Sequence, residues 1–136
     1  VRQNNLPAMW INSNQPQDCV RPDDLAAGFQ ATQHLIELGH RQILFLAHNT
    51  DHYSLQERRT GYEMAMSKAG LCPHVLHEVI DRGDWVARLQ DLFKTSPRPT
   101  AAIAYDTFTA HPALFAALTA GLQVPRDFSL VSFYEE

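Results

Sequence analysis

The residues of this 136-residue chain with types suited to chemistry are polar and aromatic side chains that fall just after short apolar runs. Asn12 follows 8–11, and Ser54 and Arg58 come shortly after 43–47. Asp84 and Trp85 follow 75–80, Tyr105 and Asp106 follow 101–104, and Tyr134 and Glu135 follow 128–133. Arg58 carries five donors in a rigid fork, suited to hydroxyls or a carboxylate. A place near a helix N-terminus would add positive potential for an anion. Trp85 offers a flat apolar face for a sugar or a base, and Asn12 both donates and accepts. Such a set suits ligand binding better than catalysis. Each residue also has a plain packing reading. Arg58 could pair with Glu57, Asp84 or Asp51 at the surface, Trp85 could plug a core, Asn12 could form a turn, and Tyr105 and Tyr134 could pack. Their joint placement after successive apolar runs favours binding.

Other chemistries find little support. His48 with His52, and His74 with His77, are the tightest pairs among seven histidines. Neither stands with a Cys or carboxylate at a zinc spacing, so no metal is expected. The chain has no nucleophile elbow, Walker loop or glycine-rich dinucleotide fingerprint, and Cys72 in GLCPH reads as a turn residue. Neither an enzyme nor a cofactor is expected. Eleven Lys and Arg against fifteen Asp and Glu leave a formal charge of −4, which gives this chain no basic footprint for nucleic acid. A hydrophobic content of 45% argues against disorder, and no apolar run approaches the ~18 residues of a membrane span. Cys19 and Cys72, far apart, make no disulfide framework and favour a reducing, cytoplasmic setting. A start on Val1 without a signal-like run reads as an excerpt of a longer protein.

These residues need elements to hold them. Residues 8–11 read as a strand and 12–22, with two prolines, as a linker-like loop. Asp23 or Asp24 caps a helix to Leu38, stopped by Gly39, with Leu25, Phe29, Thr32, Leu35 and Ile36 on one face. The unbroken apolar run 43–47 reads as a parallel strand buried on both faces. Ser54 and Glu57 have capping-box spacing at the head of a helix that runs to Ala69 and stops at Gly70. A strand at 75–80 precedes a helix from Gly83 and Asp84, whose inward face is Leu89, Leu92 and Phe93. After Pro97 and Pro99 come a strand at 101–104, a helix ending at Ala120 and Gly121, and a strand at 128–133. Because a proline is comfortable only in a first turn, Pro112 puts the start of that helix near His111. Strand and helix alternate throughout, which predicts an α/β fold: a parallel sheet with right-handed crossovers and helices on both faces. Ligands bind such sheets outside the carboxyl ends of the strands, where the residues above fall.

The run DDLAAGFQATQHLIELGHRQILFLA, the S-x-x-E-R-x-x-G-Y spacing from Ser54 to Tyr62, AMSKAGL, and the tail PTAAIAYDTFTAHPALFAALTAGLQVPRDFSLVSFYEE carry a family signature. Together they resemble the effector-binding domain of LacI/GalR-type bacterial transcriptional regulators over nearly the whole chain. The resemblance implies a periplasmic-binding-protein-like (Rossmann-like) fold of two α/β subdomains with a small-molecule effector between them. Residues 1–19 would be the tail of the first subdomain and the crossover, and 20–136 an incomplete second one. The helix-turn-helix that reads operator DNA would be absent from this chain. A homodimer is implied, with the helices at 84–94 and 111–120 as candidates for its face.

Carried over by motif, Arg58 matches the effector-contacting arginine of R-x-x-G, Asn12 a polar contact that is often Asp, and Trp85 an aromatic position that packs on sugars. Two positions depart from the family. Tyr105 and Asp106 stand where Asn-Asp is common, and Tyr134 and Glu135 where Asp-Asp is common. The departures imply an effector more planar or apolar than a simple hexose, or a partly filled pocket. Two other readings remain open at this point: a solute-binding protein of a transport system with the same fold, and a flavodoxin-like enzyme domain.

Overall fold

A computed structural model describes residues 7–48, 51–77 and 82–133. A short parallel ladder comes first, in which β1 (Trp10–Ile11) pairs with β2 (Cys19–Val20). Four further strands, β3 (Ile43–Ala47), β4 (His74–His77), β5 (Ala101–Ala104) and β6 (Ser129–Ser132), form one parallel sheet in the order β4-β3-β5-β6. Every residue of β3 and β5 is buried, because both are central and covered on both faces. Four helices do the covering: α1 (Asp24–Glu37), α2 (Tyr53–Lys68), α3 (Arg82–Phe93) and α4 (Thr107–Thr119).

The two-residue period of β3 divides the core. Ile43, Phe45 and Ala47 face a layer with Leu35, Leu55, Tyr62 and Met66 from α1 and α2. Leu44 and Leu46 face the other layer, with Trp85, Leu89 and Phe93 from α3 and Ala113, Ala116 and Ala117 from α4. The crossover through α2 carries the chain from β3 outward to β4, and the one through α3 returns it past β3 to β5. The strand order therefore reverses between β3 and β5, and a crevice is expected at their carboxyl ends. No helix among the described residues is long and apolar enough to cross a membrane.

The α/β alternation holds, with several local corrections. Asp23 caps α1 by accepting from the Ala26 N–H at 2.9 Å, and Gly39 stops it at φ +97°. The inward face of α1, however, is Asp24, Gly28, Thr32 and Leu35, with Leu25 exposed. The reason is the contact with α2: a Cβ on Gly28 would strike the Arg58 carbonyl, and one on Gly61 would strike the Leu25 carbonyl. Two helices that touch backbone to backbone must turn their glycines inward, and the large side chains swing aside. His52 caps α2 instead of Ser54, with its ring accepting from the Ser54 N–H. In α4 the capping box of Asp106 and Thr109 sets the start at Thr107, not near His111. Pro112 lies buried inside that helix and cannot supply an N–H to the Phe108 carbonyl. Residues 19 and 20, expected in the polar loop and on either side of a subdomain boundary, together form β2.

At the opposite, amino-terminal edge of the sheet, His40 ties three strands. Its Nδ1 is 2.9 Å from Thr100 Oγ1 ahead of β5, and its Nε2 is 3.0 Å from Ser129 Oγ of β6. Burial pushes the pKa of His40 below its ordinary 6.5, so the neutral ring is the form that bridges the two hydroxyls.

Candidate ligand site at the strand carboxyl ends

Tyr105 extends β5 by one residue, its N–H donating to the Leu46 carbonyl at 2.8 Å. The ring turns to the α1/α2 side, is only 2% exposed, and brings its hydroxyl 2.8 Å from Ser54 Oγ in the first turn of α2. Ser54 Oγ lies in turn 2.7 Å from His52 Nδ1. One helical turn further, Arg58 donates from Nε to Asp24 Oδ1 at 2.8 Å and from a terminal nitrogen to the Tyr105 carbonyl at 3.2 Å. Its guanidinium also lies over two rings, 5.1 Å from the centroid of Tyr105 and 4.7 Å from that of Phe133. Arg58 and Asp24 are both buried, at 7% and 1% exposure. Asp24 Oδ2, also buried, has no hydrogen-bond partner among the described residues. Desolvated charges of this kind are stable only as a pair.

A second pair lies at the carboxyl ends of β3 and β5. His48, next after β3, places Nδ1 3.1 Å from Asp106 Oδ2. The geometry is not that of an aligned hydrogen bond, and Nδ1 is buried without one. Asp106 meanwhile accepts from the Thr109 N–H at 3.0 Å and the Thr109 hydroxyl at 3.1 Å. The His48 ring stands 5.9 Å from that of Tyr105 and 5.8 Å from that of Phe108, which is exposed. Asn12 reaches the same edge: it is exposed at φ +50°, and its side-chain carbonyl accepts from the Tyr53 hydroxyl at 2.9 Å.

The structure thus gathers Ser54, Arg58, Tyr105 and Asp106, with Asn12 at one side. Trp85 does not join them. It is 3% exposed in the α3/α4 layer, on the opposite face of the sheet from Arg58 and Tyr105, because positions 85, 89 and 93 share the inward stripe of α3. The expectation of a flat face at the rim gives way to that of a core plug. Tyr134 and Glu135 lie outside the described residues; Phe133 is the last side chain described after β6. Three contributors escaped the sequence reading: Asp24, taken for a cap; His48, weighed only as half of a histidine pair; and Phe133, counted as strand. For Asp24 a signal existed, since only one of two adjacent acids is needed to cap and Asp24 sits four residues before Gly28.

Residues 32–136 match the family model of the periplasmic binding protein-like domain. The chain belongs to that family. It is 30% identical to the HTH-type transcriptional repressor PurR of Actinobacillus pleuropneumoniae serotype 3, over 95% of this chain and 40% of that one. A LacI transcriptional regulator from Bacillus cereus subsp. cytotoxis superposes with a TM-score of 0.79 at 27% identity, covering 99% of this chain and 50% of that one. A complex of the transcriptional regulator CelR with cellobiose superposes at 0.70 and 32% identity, covering 84% of this chain and 36% of that one. The chain spans half or less of the length of each of these relatives. The periplasmic-binding-protein-like α/β fold and the likeness to LacI-type regulators expected from the sequence are both borne out.

Proposed function

We propose that this chain is the effector-sensing part of a LacI-type transcriptional regulator and binds a small molecule at the carboxyl ends of β3 and β5. One observation carries the reading: Ser54, Arg58, Tyr105 and Asp106, from three separate elements, meet where the strand order reverses, in a fold whose relatives are transcriptional repressors. The effector would be held between this rim and a second α/β subdomain, to which the β1–β2 ladder would belong. Closing on the ligand would bias two orientations of the subdomains. A homodimer would carry that bias to a DNA-binding domain outside this chain, in the cytoplasm. Leu114, Phe115 and Leu118, all exposed on α4, are the apolar surface we assign to the dimer.

The test is made on the full-length protein. Small metabolites are screened for a thermal shift, since a ligand at 100 times its dissociation constant stabilises by ~2.7 kcal/mol. The hit is then added to the operator complex, and the DNA affinity should change by the factor by which DNA changes the affinity for the hit. A hit that leaves DNA binding unchanged would overturn the reading.

A further inference from the structure

Tyr105 touches Ser54, Arg58 and His48 at the rim. Its hydroxyl is bonded to Ser54, its carbonyl to Arg58, its ring lies beneath the Arg58 guanidinium, and His48 stands against it. At 2% exposure the phenol fills the interval between the end of β5 and the first turn of α2. The polar groups around it are engaged with one another as well: Ser54 with His52 and Tyr105, Asp106 with Thr109 and His48, Arg58 with Asp24. A ligand rich in hydroxyls would have to break these contacts to be recognised, and its own hydroxyls would otherwise be buried unmatched. The exposed layer above them is made of ring faces, those of Phe108 and the partly exposed His48.

We infer that Tyr105 is the specificity-determining residue of the rim: its ring fills the space between the end of β5 and α2 and reserves Ser54 and Arg58, so the site takes ligands that rest a flat or apolar face on Phe108 and His48 and turns away polyhydroxyl ones. The inference rests on the rim being the effector site. Ring volume, rather than the hydroxyl bond to Ser54, does the excluding, and two variants separate these contributions.

The full-length wild type, Tyr105→Phe and Tyr105→Asn are titrated calorimetrically with glucose and cellobiose, without DNA. Wild type and Tyr105→Phe should bind both sugars weakly or not at all. Tyr105→Asn, which opens the crevice and adds an amide, should bind at least one of them tenfold or more tighter. Adding Ser54→Ala to Tyr105→Asn should remove that gain and so locate it at the rim. The inference falls if wild type binds as tightly as Tyr105→Asn, if Tyr105→Phe gains as much as Tyr105→Asn, if the gain survives Ser54→Ala, or if a cooperatively melting Tyr105→Asn binds neither sugar. Because DNA is absent, a failure of the regulator reading shows only in the operator experiment and is not confused with these outcomes.

Discussion

A guanidinium and a carboxylate buried together hold each other in the folded state, and removing one strands the other. Arg58→Ala would leave Asp24 as an uncompensated charge at 1% exposure, with its Oδ2 already without a bond among the described residues. The expected loss is ~3–5 kcal/mol in urea denaturation of the full-length protein. Replacing both partners by apolar residues, Asp24→Leu with Arg58→Met, should cost clearly less than Arg58→Ala alone; an equal or greater loss would show that the pair is not what Arg58 contributes. A ligand-binding test at this position is therefore better made with Arg58→Lys, which keeps the charge. At this scale the sequence reading put Ser54, Arg58, Tyr105 and Asp106 at one edge of the sheet because strand ends were legible. Asp24 and Trp85 were not, since which face of a helix a residue occupies depends on how that helix is rolled against its neighbours, and spacing alone leaves the roll open.

The roll of α1 is set by its glycines, which makes the contact testable. Gly61→Ala adds a methyl group against the Leu25 carbonyl and the Phe29 N–H, both of them backbone. Neither can step aside like a flexible side chain, so a loss of ~1–3 kcal/mol in the same denaturation assay is expected, as for an overpacked core. A second prediction concerns the strand tie at the far edge. Folding lowers the pKa of His40 by burying it, so the folded state binds fewer protons there than the unfolded chain. The stability this contributes is whole above the unfolded value of about 6.5 and is lost as the pH falls below it, toward the lowered folded pKa. His40→Gln should flatten that slope; an unchanged slope would place its origin elsewhere. Element order, the Asp23 cap and the glycine stops were legible because they are local. The start of α4 was misread because a proline rule competed with a capping box four residues long, and the capping box prevailed. At two residues each, β1 and β2 are too short to show any period.

At the scale of the whole molecule, the alternation of apolar runs and helices was enough to give a parallel sheet, but not the order β4-β3-β5-β6 that creates the crevice. Nor does it say what meets the outside of α4. Phe115 is 58% exposed and Leu118 55%, and three residues apart they fall along one side of the helix. Exposed apolar side chains grouped on one face are costly in water, and the proposed homodimer would cover them. Phe115→Glu in the full-length protein should then raise the dimer dissociation constant at least tenfold, about 1.4 kcal/mol, as read by sedimentation across a dilution series. Met64→Glu, at an equally apolar and 49% exposed position on α2, should leave the assembly unchanged and serves as the control. Dimers unaffected by Phe115→Glu, or weakened equally by Met64→Glu, would remove α4 from the interface and leave its apolar face for a different partner.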